Sequence, residues 1–157
     1  MKTNEYLKPL WSAFEHFADL PAVVDQEGRI TTYKELGVLT RRIASALVSR
    51  QLPDNSFIPI LLPTCMEYLA AEMGVWMAGH AIVPMGDTFP EGRVEFIREH
   101  CEAPLIIDKQ FLDEAATCEE LHDDEQQIEL DTNALLIYTS GSTGEPKGIL
   151  TSPEGCS

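Results

Sequence analysis

The chain is poor in cations: 11 lysines and arginines stand against 26 aspartates and glutamates, for a formal net charge of -15 over 157 residues. A field of that sign repels phosphate backbones and anionic bilayers, so neither nucleic acid nor a membrane is an expected partner. Cysteine is sparse as well. Cys65, Cys101, Cys118 and Cys156 are widely and irregularly spaced, which offers no disulfide framework and suits reduced thiols in a cytoplasmic protein. No pair has the close spacing of a zinc site, and the adjacent His100 and Cys101 would face different sides of a helix, so no metal ligands are expected. His16, His80 and His122 stand in no pattern of their own. Long apolar runs are missing too. The most apolar stretch, residues 68–85, is broken by Glu72 and His80 and carries Gly74, Gly79 and Pro84, the marks of a buried helix and strand rather than of a membrane span. Residues 1–10 mix Lys2, Glu5, Lys8 and Pro9 and lack the apolar core of a signal peptide, so export is not expected. There is no internal repeat and no low-complexity segment.

What is present is an ordinary globular composition, with 44% apolar and 8% aromatic residues. A chain of this length buries roughly 68–70% of the surface it exposes when unfolded, enough for one compact domain without disulfides or metals. The acids are unevenly placed. Nine of them fall in residues 113–131, a span with no lysine or arginine. That span reads as a solvated, self-repelling connection rather than a partner-docking surface.

Hydrophobic spacing divides the rest into helices and strands. Leu10, Phe14 and Phe17 recur at helical spacing, predicting a short helix that ends before Pro21. Residues 22–25 and 29–32 read as two strands of a hairpin around 26–28. Thr32 and Glu35 have the spacing of a capping box, and Leu36, Leu39, Ile43 and Leu47 behind them share one face of a helix reaching about Arg50. Phe57–Leu62 is a short apolar run ending at Pro63, as in a strand buried on both faces. Thr64 with Glu67 repeats the capping-box signal for a helix that stops near Gly79. Residues 81–83 predict a further strand, 90–101 a helix carrying Val94, Ile97 and Cys101, 105–107 a third strand and 134–138 a last one. Strands alternating with helices of this length imply an α/β fold, a mainly parallel sheet with helices on both faces.

The last predicted strand runs straight into Thr139-Ser140-Gly141-Ser142-Thr143-Gly144-Glu145-Pro146-Lys147-Gly148. Three kinds of residue make this stretch a cradle for phosphate. Gly141, Gly144 and Gly148 permit positive φ and a close approach of backbone to an anion. Successive N–H groups can then converge on phosphate oxygens, with Thr139, Ser140, Ser142 and Thr143 adding hydroxyl donors. Lys147 adds a point charge. On composition alone the alternative is a flexible Gly/Ser turn. The spacing is not that of a Walker loop, which needs Lys and Ser/Thr directly after the second glycine, so a P-loop NTPase is disfavoured.

Residues 135–148, Leu-Leu-Ile-Tyr-Thr-Ser-Gly-Ser-Thr-Gly-Glu-Pro-Lys-Gly, resemble the signature of the adenylate-forming ligase superfamily, which includes acyl-CoA synthetases, peptide-synthetase adenylation domains and luciferases. Two stretches upstream add to the resemblance in the right order. Thr32-Tyr33-Lys34-Glu35-Leu36 is similar to the family's Thr-Tyr-x-Glu-Leu helix start, and Ala78-Gly79-His80-Ala81-Ile82-Val83-Pro84 to its Ala-Gly-x-x-x-Val-Pro segment. Pro90 and Arg93 continue it in the Pro-x-x-Arg form common in amino-acid-activating members. Two places depart: Gly86-Asp87 stands where that branch usually has Asp-Pro, and Pro153 where many members have histidine.

The resemblance implies that residues 1–157 are the N-terminal part of an AMP-binding adenylation domain, with an acidic connection at 113–131 and a phosphate-binding loop at 139–148. It implies ATP-dependent activation of a carboxylic or amino acid. The loop would close over the β- and γ-phosphates of ATP, with Mg2+ present, while a substrate carboxylate attacks the α-phosphate, releasing pyrophosphate and leaving an acyl-adenylate. Thr139, Ser140, Gly141, Ser142, Thr143, Gly144 and Lys147 fall on that motif as ATP-binding residues; no catalytic residue and no metal ligand is assigned. The acid pocket, the groups that hold adenine, ribose and magnesium, and a C-terminal domain with its lysine would lie beyond this chain. Alone it is therefore expected to be an incomplete, inactive ligase fragment that self-associates through apolar surface. The alternative is a non-catalytic interaction or regulatory module that keeps the fold.

Overall fold

The computed structural model describes residues 4–122, 134–140 and 144–152. The first helix, α1 (Asn4–His16), turns Trp11 and Phe14 into the core. β1 (Pro21–Val24) and β2 (Ile30–Thr32) form the expected antiparallel hairpin. Its turn is closed by the Asp25 carboxylate, which accepts from the Glu27 and Arg29 amides at 2.9 and 2.8 Å. Those bonds, the one from Arg29 foremost, hold the Asp25 carboxyl below its ordinary pKa. α2 (Tyr33–Val48) starts with the predicted capping box. Thr32 Oγ1 accepts from the Glu35 amide at 3.2 Å, and the Glu35 carboxylate accepts from the Thr32 amide at 2.8 Å.

β3 occupies the expected run, Phe57–Leu62, but α3 (Met66–Met77) begins differently from expectation. Its cap residue is Cys65, with no side-chain cap, so the Thr64–Glu67 box does not form. The one-residue shift puts Glu67 at the second helical position instead of the third that a box requires. Its carboxylate takes the Cys65 thiol instead and is held below its ordinary pKa chiefly by that bond. The helix ends at Gly79, φ 82°, as predicted. α2 and α3 cross closely: a Cβ on Gly74 would lie 2.7 Å from Ile43 Cγ2 and 3.1 Å from the Thr40 carbonyl oxygen. Only a residue without a side chain lets the two backbones approach this far.

The main sheet is completed by β4 (Ala81–Gly86), β5 (Leu135–Ser140) and β6 (Pro146–Thr151), in the order β3-β4-β5-β6. Its first two pairings are parallel and the last is antiparallel. Alternate residues face two cores. Ile58, Ile60, Leu62 and Ile82 pack with α1, α2, α3 and α5 (Lys109–Ala115), while Val83, Met85, Leu136 and Tyr138 pack with Ile97 of α4 (Glu91–His100). Helices therefore cover both faces of a parallel-rich sheet, as expected. Among the described residues no helix is long and apolar enough to cross a membrane.

Two elements are smaller or larger than the sequence suggested. Residues 105–107 reduce to a single parallel bridge, Ile60↔Ile107, because Asp108 at once caps α5, accepting from the Phe111 amide at 3.0 Å. The acidic connection gives up its beginning to structure: residues 113–115 are the end of α5, and Leu121 is buried. Arg50, just after α2, offsets the local negative charge, pairing with Glu114 at 2.7 Å and lying 4.7 Å from the Phe111 ring centroid. Residues 123–131 of that run lie outside the described residues.

The ladder between β4 and β5 is short. The Ile82 amide donates to the Ala134 carbonyl at 2.9 Å, and the register pair is Ile82↔Leu135. Alternate amides of a parallel strand serve the same neighbour, so the next donor from β4 toward β5 would be residue 84. Pro84 has no N–H, and the pairing stops there.

Candidate functional site

β5 and β6 pair in the register Ile137↔Ile149, Tyr138↔Gly148, Thr139↔Lys147 and Ser140↔Pro146. Directly opposed residues share a face of the sheet. Thr139 and Lys147 therefore stand together beside Ile137 and Ile149, while Tyr138, Gly148 and Ser140 belong to the α4 face. Much of the stretch expected to be loop is paired strand, and residues 141–145 alone connect the two sides. The sequence reading missed β6. Its signal was available in Gly148-Ile149-Leu150-Thr151, a short apolar and β-branched run after the lysine.

The expected site residues divide accordingly. Thr139, Ser140, Gly144 and Lys147 are exposed at the hairpin end. Gly141, Ser142 and Thr143 lie outside the described residues. Gly144 has the positive φ anticipated for it, 82°, but Gly148 does not. Gly148 serves space instead: a Cβ there would lie 3.0 Å from Leu136 Cδ1 and 3.5 Å from the Tyr138 ring. No hydrogen bond or ion pair joins the Thr139, Ser140 or Lys147 side chains to another described residue. Lys147 is also the single lysine or arginine in residues 110–157, so an anion reaching this part of an acidic chain finds its cation at one point.

The hairpin base is held from two sides. The Ala134 carbonyl, just before β5, accepts from both the Ile82 amide and Trp76 Nε1 at 2.9 Å. Tyr138 is 6% exposed, and its hydroxyl lies 2.7 Å from His100 Nδ1. The His100 ring in turn stacks on Phe96, centroids 5.5 Å apart and 17° from parallel. Burial pushes the Tyr138 hydroxyl up to about 12, with the Cys101 thiol adding to the effect. Burial likewise raises Cys101, which interacts with the same hydroxyl. His100 and Cys101, expected on different sides of a helix, thus both reach Tyr138, because Cys101 is the residue that ends α4. Nothing in their spacing marked either as a neighbour of the loop.

An open groove of about 720 Å³ lies elsewhere, between the β1–β2 turn and the start of α3, with Asp25, Ile30, Cys65 and Glu67 among its walls. It contains none of the candidate phosphate residues. Among the described residues no group of three or more His, Cys, Asp or Glu could hold a metal ion.

Residues 10–156 match the family model described as AMP-binding enzyme. The chain belongs to the AMP-binding enzyme family. Surfactin synthase subunit 1 of Bacillus subtilis (strain 168) is 34% identical to this chain over 148 residues, covering 87% of it and 4% of the synthase. The NpsA N-terminal subdomain of Klebsiella oxytoca, solved in complex with 3-hydroxyanthranilyl-AMSN, superposes with a TM-score of 0.77 at 22% identity, covering 98% of this chain and 41% of that one. The o-succinylbenzoate CoA synthetase of Bacillus subtilis, solved with an acyl-adenylate intermediate, gives a TM-score of 0.72 at 22% identity, covering 90% of this chain and 42% of that one. The fold is that of the N-terminal part of the adenylate-forming ligases, as the resemblance implied. The chain spans a small fraction of the synthase and less than half of the two solved chains.

Proposed function

We propose that the turn between β5 and β6 binds the triphosphate of ATP, and that the chain supplies this part of an enzyme that activates a carboxylic or amino acid as an acyl-adenylate. The observation that carries the reading is the Thr139↔Lys147 pair, a hydroxyl and an ammonium set side by side at the mouth of a glycine-bearing turn. Thr139, Ser140, Ser142 and Thr143 would donate hydroxyls to phosphate oxygens, Gly141 and Gly144 would let the backbone amides approach, and Lys147 would neutralise charge. Each hydrogen bond to a charged group contributes about 1.5–3 kcal/mol, so three or four anchor a triphosphate. So held, the nucleotide presents its α-phosphorus to a substrate carboxylate oxygen. The new C–O–P linkage forms as the bond to pyrophosphate breaks, and pyrophosphate leaves with the electron pair.

These residues account for the phosphate end alone. Stabilising the transition state also needs donors preorganised around the acid and the α-phosphate, so the chain by itself should show no ATP–pyrophosphate exchange. Calorimetric titration of the chain with ATP is the test. Lys147→Ala should weaken binding about 10- to 100-fold, the equivalent of one charged hydrogen bond, with an unchanged unfolding midpoint. No binding by the wild type, or equal binding by the variant, would overturn the reading.

A further inference from the structure

We infer that His100 is a positioning residue for the phosphate-binding turn, acting through the Tyr138 hydroxyl. The inference rests on the proposed phosphate role of that turn. Main-chain pairing between β4 and β5 ends at Ile82↔Leu135 because Pro84 cannot donate. From Leu136 onward β5 runs toward the turn with no ladder to β4. Tyr138 sits in this unladdered stretch, two residues before Ser140, where the turn begins. Its ring crosses the space that Gly148 leaves open, touching the opposite strand of the hairpin. Its hydroxyl continues to His100 Nδ1, 2.7 Å away at the end of α4. One side chain therefore reaches both strands of the hairpin and a helix outside it, replacing the backbone bond that proline removes.

The His100 ring is itself fixed. It stacks on Phe96 at 17° and meets Tyr138 edge-on at 83°, so the imidazole has little rotation left and its nitrogen presents a fixed point. A phosphate site needs its donors held close to a single arrangement, and the Thr139↔Lys147 pair is the next one along the hairpin from the anchored Tyr138↔Gly148 pair. The Tyr138–His100 bond sets where that pair stands.

The experiment compares the wild-type chain with Tyr138→Phe, His100→Ala and His100→Asn, the last keeping a polar atom near the position of Nδ1. ATP affinity is read by calorimetry and amide hydrogen exchange by mass spectrometry. Tyr138→Phe and His100→Ala should weaken ATP binding about 3- to 10-fold, the range for one hydrogen bond, and His100→Asn should recover most of it. Exchange should quicken over 138–148 in the first two variants and stay unchanged in α2 and α3, which a general loss of stability would not produce. Equal affinity and equal exchange in Tyr138→Phe would overturn the inference, as would failure of His100→Asn to rescue His100→Ala. If the wild type binds no ATP, the proposed function fails while the exchange comparison still decides whether His100 holds the hairpin.

Discussion

The two ends of the main sheet are stabilised in opposite ways. Around β3, Ile43, Leu47, Ile58, Ile60 and Val75 are fully buried, and α2 meets α3 backbone to backbone across Gly74. At β6, Ile149 and Leu150 are 54% and 55% exposed, and Ile137 beside them is 41% exposed. The first region is held by dense packing, which is insensitive to any single polar bond. The second leaves apolar side chains exposed, and beyond the β5–β6 ladder it is tied to the rest of the fold by directed bonds at Ala134 and Tyr138. Low local packing is the usual condition of segments that bind and move, and the described phosphate-binding candidates Thr139, Ser140, Gly144 and Lys147 lie there.

Substitution at the tight crossing should produce the largest effect. Gly74→Val forces a branched side chain into Ile43 and the Thr40 carbonyl, and overpacking of this kind costs about 1–3 kcal/mol. A urea midpoint equal to wild type would mean that the packed region is no tighter than the hairpin. Acid offers a subtler probe. His80 is buried, its Nδ1 accepts from the Ser56 amide at 3.2 Å, and burial lowers its pKa despite the opposing pull of Asp54. A histidine depressed in the folded state contributes stability that is full above its unfolded pKa of about 6.5 and is lost as pH falls through the folded value. Stability should therefore decline below that pH more steeply in wild type than in His80→Asn, measured as denaturant midpoints from pH 7 to 5. Parallel curves would remove His80 from the account.

The smallest effect on folding belongs to the exposed side. Ile149→Ser should change stability by less than about 0.5 kcal/mol, the range for surface substitutions. It should nonetheless reduce self-association, because Ile137 and Ile149, opposed on one face of β5 and β6, leave apolar surface exposed at the β6 end of the described sheet. Sedimentation at several concentrations checks both. A wild-type chain that stays monomeric at high micromolar concentration would show that the patch is not adhesive.

How much of this was legible beforehand follows the same division. Thr32 with Glu35, and the run Phe57–Leu62, declared themselves because their causes are local: a cap three residues long, a strand buried on both faces. The turn's glycine at 144 was legible for the same reason. What was not legible depends on partners far away in sequence. α5 has seven residues and acquires its place from Arg50, sixty-odd positions earlier, so its acids read as solvent-facing. β6 exists by pairing with β5, and the use of Gly148 follows from the Tyr138 ring lying opposite, not from its own φ. His100 lacked any motif. Its relation to the turn arises where α4 ends, 38 positions from Tyr138.

The indole bond at the start of β5 gives the molecule a built-in optical reporter. The sequence has two tryptophans. Trp11 is buried against Phe14 with no partner for its Nε1 among the described residues, whereas Trp76 donates to the Ala134 carbonyl. One fluorophore thus sits in an apolar setting within the packed region, and the other is wired to the hinge end of the hairpin. In a Trp11→Phe variant the remaining emission comes from Trp76 alone and reports on the start of β5, and in a Trp76→Phe variant the emission of Trp11 reports on the packed region, with no label attached.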